Sequence, residues 1–424
     1  MFLFFIVFLS FWPWQARDAE QVKPSSFEIP ANPAVVRLLR VALFYEKPQV
    51  LVSSPSAYEI RGFPANQALA QGPALGSIPI RPEVSGIRVG SAVYPVTGLR
   101  ITSSAKEIQV EKNVYPNAIR VLKNPAGSLT VVNEVDIEDY LKGVLPGEIN
   151  SDWPEEAMKA QAVVSRTYAV FKNIENQEFP FTLSSDVASQ VYGGKGLEDP
   201  RTSRAAERTK GEILTYNARI FPAFFHSTCG GGTTRADYQW RIKPHPSLKG
   251  VECSFCRGSK FFRWKTGYSV SEIEKLLAAN GHRVSGIRGI EPEEVDATGR
   301  PRFFAIRHGN GNLTLSANEF RLALGPDRLR STRLRLQKAG NRVVVEGRGW
   351  GHGVGMCQWG ARRLAELGYR YTDILRYYYP ESEIQNLEDL AGPAVRDPIA
   401  APGPEEDGIF KQWYRKAKDY VEDF

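Results

Sequence analysis

The chain reads as an α+β protein in which a small all-β region precedes a mixed helix and antiparallel-sheet domain, and three observations predict it. Short β-rich runs separated by Pro, Gly, Ser and Asn occupy residues 34–125. Helical periodicity with start and stop signals begins at Asp136 and recurs as far as Tyr379. Between those helices lie further strand-like runs at 129–133, 211–216 and 303–315. A length of 424 residues suits two domains with short extensions.

Residues 1–14 are apolar, short for a bilayer span but right for a signal-peptide core, which predicts export, with Ala16 and Ala19 as small residues for cleavage. No Lys or Arg precedes the run and no cysteine lies near position 20, so an uncleaved N-terminal anchor is the alternative to release. Residues 21–33 are polar and proline-bearing, a linker. Strands are expected at 35–44, 49–53, 57–60, 86–90, 99–102 and 118–122. That region holds no catalytic cluster, which leaves it a supporting or positioning role. Composition excludes a disordered chain: 42% of residues are hydrophobic and 24% charged. The net charge of +7 and pI of about 9.1 suit an anionic partner. Without a Lys/Arg run or a nucleic-acid-binding motif, nucleic acid is not that partner.

The second domain, expected over 126–390, is organised around residues 141–154. Ile137, Tyr140, Leu141 and Val144 form one helical face after an Asp136 N-cap, and Pro146-Gly147 should stop that helix. Asp152 and Glu155 suggest a capping box for a long helix over 155–172. Glu148 is thereby held in a corner among Leu145, Ile149 and Trp153. Apolar surroundings disfavour its charged form and should raise its pKa towards the range of a general acid. Gln161, Ser165 and Arg166 lie on a helix that is apolar or small around most of its circumference, so they must be paired or face a cleft.

Further along, Gln190 and Tyr192 offer an amide and a ring suited to sugars. The run Gly230 to Gly232 follows a strand but lacks the Lys-Ser/Thr of a phosphate loop, and is read as backbone able to approach a ligand closely. Ser227 is not framed as a nucleophile elbow, although His226 adjoins it. His226-x-x-Cys229 and Cys253-x-x-Cys256 have a spacing that zinc sites use. In an exported protein a disulfide competes, Cys229 pairing with Cys253 or Cys256 and leaving an odd thiol with Cys357, and that context weighs towards a disulfide or free thiols. If residues 347–355 are extended, their alternating glycines leave one face bare, and Trp350 and His352 project from the other. Helices are expected over 268–280, 316–324, 358–367 and 371–379, and a polar tail from 391, with a short surface helix over 409–421.

Four blocks carry a resemblance: YLKGVLPGEINSDWPEEAMKAQAVVSRTYAV, DVASQVYGG, FHSTCGGGT and GRGWGHGVGMCQWGA, in this order, over residues 131–387. Together they resemble the SpoIID/LytB family of cell-wall proteins. The resemblance implies a SpoIID-type catalytic domain and, from the sporulation members, lytic transglycosylase activity on peptidoglycan glycan strands, between N-acetylmuramic acid and N-acetylglucosamine. It places Glu148 at the catalytic glutamate. Arg166, Gln190, Tyr192, His226, Ser227, Trp350 and His352 are then candidate substrate contacts, and backbone dipoles at 230–232 candidate stabilisers of an oxocarbenium-like state. No cofactor is required, and a structural zinc at Cys229, Cys253 and Cys256 is the one metal to consider. Some family members carry zinc ligands in the second block; Asp186 to Gln190 here contain neither Cys nor His. A hydrolytic glycosidase would use two carboxylates across the bond, with Asp186 the nearest second. The LytB branch implies a rival, a non-catalytic modifier of a wall amidase; a metal-dependent wall hydrolase built on the cysteines and His226 is a third. Location follows as periplasmic, cell-wall or extracellular.

Overall fold

The computed structural model describes residues 27–28, 37–63, 65–185, 190–240 and 242–390. The signal or anchor segment, most of the linker, Asp186 and the tail lie outside the described residues. The chain is α+β, with an all-β N-terminal region. It divides into two units, one built mainly of residues 26–223 and the other mainly of 224–369.

In the first unit an 11-stranded sheet takes in β2 (Leu38–Lys47), β3 (Val50–Ser54), β4 (Tyr58–Phe63), β5 (Gln67–Gly72), β6 (Leu75–Glu83), β7 (Gly86–Val89), β8 (Ala92–Tyr94), β9 (Gly98–Val110), β10 (Asn113–Lys123), β11 (Leu129–Asp136) and the short β12 (Leu183–Ser184). Its main path runs β12-β2-β11-β10-β9-β3-β6-β7-β8, antiparallel except where β12 joins β2. The strands β5, β6 and β8 were not anticipated, because their side chains are largely exposed and Pro79 and Pro82 break the β6 pattern. The expected division at 125/126 falls between β10 and β11, which pair over Ala118↔Glu134 to Lys123↔Leu129. One ladder therefore runs across it. The strand β1 (Phe27–Glu28), within the expected linker, pairs with β14 (Arg219–Ile220). The hairpin from β13 (Glu212–Tyr216) to β14 turns at Asn217 and Ala218, both at positive φ.

Against this sheet's chain lie α1 (Ile137–Glu148), α2 (Glu155–Glu175) and α3 (Pro200–Arg208). Leu141 and Leu145 of α1 meet Ala162 of α2 and Ala206 of α3 in one buried cluster. Asp136 caps α1 by accepting from Glu138 N–H. Two local expectations fail here. Pro146 does not stop α1: it sits in the last turn, where losing one N–H costs a single bond, and the helix runs on to Glu148, closed by Ile149 N–H on Leu145 O. Asp152 forms no capping box, because its carboxylate pairs with Arg201 at 2.7 Å, and Pro154 is the N-cap of α2.

In the second unit β16 (Trp264–Ser269), β20 (Leu334–Ala339) and β21 (Arg342–Gly347) form one sheet, and β17 (Gly289–Glu293), β18 (Phe303–His308) and β19 (Gly311–Ser316) another. With α4 (Val270–Ala279) and α5 (Ala317–Ala323), both closed by full Ser/Glu capping boxes, they enclose a core that includes Ile273, Leu277, Phe304, Phe320 and Val345. Beside it, β15 (Phe225–His226) pairs in parallel with β22 (Met356–Cys357), which leads into α6 (Gln358–Glu366). The 347–355 segment is not extended. Gly349, Gly351, Gly353 and Gly355 all have positive φ, so it winds through successive turns, and no bare strand face exists. A Cβ on Gly355 would lie 1.9 Å from Phe224 O. Among the described residues no helix is long and apolar enough to cross a membrane.

Candidate functional site

Glu148 is the last residue of α1, partly buried, with Leu145 and Ile149 buried beside it. Burial raises its pKa to about 7, against a lowering by the Val191 N–H, which donates to its carboxylate at 3.0 Å. The negative end of the helix dipole acts in the same direction as burial. What brings Val191 there is a feature the sequence reading missed. Gly143 and Gly147 stand one turn apart on α1, and the 191–194 segment lies directly upon them. A Cβ on Gly143 would come within 2.8 Å of Gly194 O and of the Tyr192 ring, and one on Gly147 within 3.1 Å of Val191 O. Gly193 N–H also donates to Gly143 O. The i,i+4 glycine spacing was legible, but not what would lie upon it.

The same segment buries its predicted contacts. The Tyr192 ring packs on Tyr140 and Tyr115, and its hydroxyl donates to Asn133 Oδ1 at 2.7 Å. It is 4% exposed, so it is a strut of the site and offers no open face to a sugar. Gln190 is likewise buried; its Oε1 accepts from Tyr140, while its Nε2 has no hydrogen-bond partner among the described residues. Arg166 is fully buried and forks onto Glu138 at 2.9 and 2.8 Å, with further bonds to Ala206 O and Glu212 O. Full burial and these four bonds make it a brace between α1, α3 and β13, and not the substrate contact offered as its alternative role.

In the second unit the predicted residues fall into two neighbouring groups. His226 and His352 lie 5.5 Å apart between ring centroids, and the His352 ring approaches Trp240 at 4.9 Å. Burial lowers the pKa of His226 to about 3 and that of His352 well below its ordinary value. Both imidazoles are therefore neutral at pH 7, and their backbone partners fix opposite tautomers. His226 Nδ1–H donates to Val354 O, whereas His352 Nδ1 accepts from Val354 N–H. The His226 Nε2 is a buried acceptor with no hydrogen-bond partner among the described residues. Ser227 is partly exposed and its hydroxyl meets Thr228 Oγ1 at 3.3 Å, with no bond to His226 among the described residues. Trp350 stands edge-on to Phe261, with the Arg330 guanidinium over its ring. Nearby, Arg257, Lys260, Arg263 and Arg348 line a recess of about 540 Å³.

The second group is sulfur. Cys229, Cys253, Cys256 and Cys357 are all buried and unbonded, and their Sγ atoms lie within 4.8 Å of one another. No disulfide joins Cys229 to the later pair, and Cys357 stands with the other three. His226, in contrast, is not one of these close donors; it turns to Val354. The Gly230–Gly232 backbone also differs from expectation: Gly231 N–H points at Cys229 Sγ, and the carbonyls of 230 and 232 accept from Arg333 and Arg300. Those groups are committed within the protein, which removes them as stabilisers of a sugar cation.

Comparison with known proteins places this arrangement. The family described as Stage II sporulation protein matches residues 125–216, the segment that contains α1, Glu148 and the loop upon it. A Domain of unknown function (DUF8618) matches 250–355. The chain is 36% identical over 257 residues to an uncharacterized protein of Brachyspira hyodysenteriae, covering 59% of this chain and 67% of the relative. It is 29% identical over 272 residues to Stage II sporulation protein D of Bacillus subtilis, covering 61% and 76% respectively. To the amidase enhancer of Bacillus subtilis it is 27% identical over 286 residues, covering 57% of this chain but only 39% of the relative. The chain belongs to the SpoIID/LytB family.

Proposed function

We propose that this protein acts in the bacterial cell wall, outside the cytoplasm or at the membrane, as a peptidoglycan lytic transglycosylase with Glu148 as its general acid and base. The observation that carries the reading is a single carboxyl at a helix C-terminus whose pKa is raised to about 7. Protonated, Glu148 gives its proton to the oxygen of the bond between N-acetylmuramic acid and N-acetylglucosamine. As the bond breaks, positive charge develops at the anomeric carbon. The carboxylate, now ionised, takes the proton of the sugar's own 6-hydroxyl as that oxygen attacks, and a 1,6-anhydro product forms. One acid suffices, in contrast to the two carboxylates of most hydrolytic glycosidases. The Val191 N–H supports the ionised form and keeps the pKa near neutrality, where both steps are feasible. The basic recess of Arg257, Lys260, Arg263 and Arg348 adds local attraction for an anionic polymer.

A second reading is favoured by the relative named amidase enhancer: a non-catalytic wall protein that recruits or modifies an amidase. Mass analysis of products from intact and peptide-free glycan strands separates the two. Anhydro-muramyl ends from wild-type protein, absent with Glu148→Gln, support the enzyme. Strand binding with no such ends, and stimulation of an added amidase, sink it.

A further inference from the structure

All the cysteines of the chain, four in 424 residues, converge on one point, although Cys229 and Cys357 are 128 positions apart. We propose that Cys229, Cys253, Cys256 and Cys357 hold one zinc ion as a tetrahedral tetrathiolate centre. It is independent of the glycan-cleaving reading.

Geometry gives the nuclearity. With Zn–S bonds of about 2.3 Å, the sulfurs of a tetrahedral site stand roughly 3.8 Å apart. Here all four lie within 4.8 Å of each other, and Cys229 Sγ and Cys256 Sγ are 3.4 Å apart. That spacing suits one ion, whereas a cluster of several irons needs its sulfurs farther apart. The ligands come from three segments: Cys229 from the glycine loop, Cys253 and Cys256 from around the turn Phe255–Gly258, and Cys357 from the N-cap of α6.

Two further observations point to charged sulfur. The first is the backbone donors aimed at it: Cys229 N–H lies 3.2 Å from Cys357 Sγ and Gly231 N–H 3.4 Å from Cys229 Sγ, while the Tyr378 hydroxyl, 3.2 Å from Cys253 Sγ, is placed to donate to a thiolate there. Donors of this kind orient and stabilise metal-bound thiolates. The second is Arg300, which is 0% exposed and forms no ion pair with a carboxylate among the described residues. It donates to Cys229 O and Gly232 O, and Arg333 donates to Gly230 O in the same loop. A buried guanidinium needs an anion nearby. Zinc with four thiolates carries net charge −2, which the Arg300 and Arg333 guanidiniums balance, whereas with four neutral thiols the two guanidiniums would share the single carboxylate of Asp296. The bare proximity of Gly360, where a Cβ would lie 3.0 Å from Cys253 Sγ, shows how closely α6 packs on the centre. Around this point the chain is mostly loops and isolated bridges, so the ion would supply the cross-linking that secondary structure does not.

The test uses the full chain, purified without chelator. Elemental analysis should find one zinc per chain, intact mass after denaturation should show four free thiols, and stepwise titration of the native protein with a mercurial should release the zinc as the thiols are consumed. Cys357→Ser should lower zinc content at least tenfold. Should that variant fail to fold, the wild-type titration and mass still decide. A mass short of four hydrogens, meaning two disulfides, overturns the proposal. So does reduced protein that takes up no zinc when an equimolar amount is added, or one that carries iron in its place.

Discussion

The Val191 N–H donates to the Glu148 carboxylate at 3.0 Å, and this bond joins the end of α1 to the loop that lies on Gly143 and Gly147. It favours the ionised form of a carboxyl otherwise held protonated by burial. The balance sets when the acid can give up its proton.

Activity should therefore be lost in Glu148→Gln, and wild-type glycan cleavage should fall as pH rises through about 7, the pKa of the acid. Stability follows the same group. Its pKa is raised from 4.5 in the unfolded chain, so its contribution is full below about 4.5 and is lost as pH rises through about 7. At pH 8 the cost is at most about 3 kcal/mol. Urea unfolding at pH 5 and pH 8 should show Glu148→Gln gaining on the wild type at the higher pH. A gap between the two proteins that is the same at both values refutes the burial argument.

Gly143→Ala should reduce cleavage at least tenfold. Alanine is about 1 kcal/mol better than glycine within a helix, but its Cβ would stand 2.8 Å from Gly194 O and the Tyr192 ring. The clash is with backbone and outweighs the gain in propensity. A more stable and fully active Gly143→Ala would show that the loop is not seated on the helix.

Tyr192→Phe removes a buried hydrogen bond to Asn133 Oδ1. The expected loss is about 1–2 kcal/mol by chemical denaturation, with KM for glycan unchanged. A raised KM with unchanged stability would return Tyr192 to the role of a sugar platform.

Arg166→Ala leaves Glu138 in a largely buried position without its fork of two bonds. The cost should be about 3–5 kcal/mol, a large share of the stability of an ordinary domain. Arg166→Lys should recover only part of it, because one ammonium cannot match the fork. Circular dichroism melts of the two variants make the comparison.

How much of this was legible in the chain depends on the range of each signal. The α1 N-cap at Asp136, the capped helices α4 and α5, and the hairpin β18–β19 lie within a few residues of their own determinants, and the sequence shows them. Glu148 was also legible, because Leu145 and Ile149 are its chain neighbours and the surrounding blocks match a family. Exposed strands such as β5 and β6 were not, since their stability comes from partners in the sheet and their side chains carry no alternation to read.

By itself, then, the sequence determined the fold class and the family, and it singled out Glu148 as the candidate acid. Only the tertiary structure decided which polar residues near the acid are struts. Tyr192 and Arg166 look alike as strut or contact until their partners, 59 and 28 positions away, are known. Only it, too, gathered Cys357 with three distant cysteines. Periodicity and spacing report contacts along one element, whereas convergence of separate segments is fixed by packing, which no local pattern encodes.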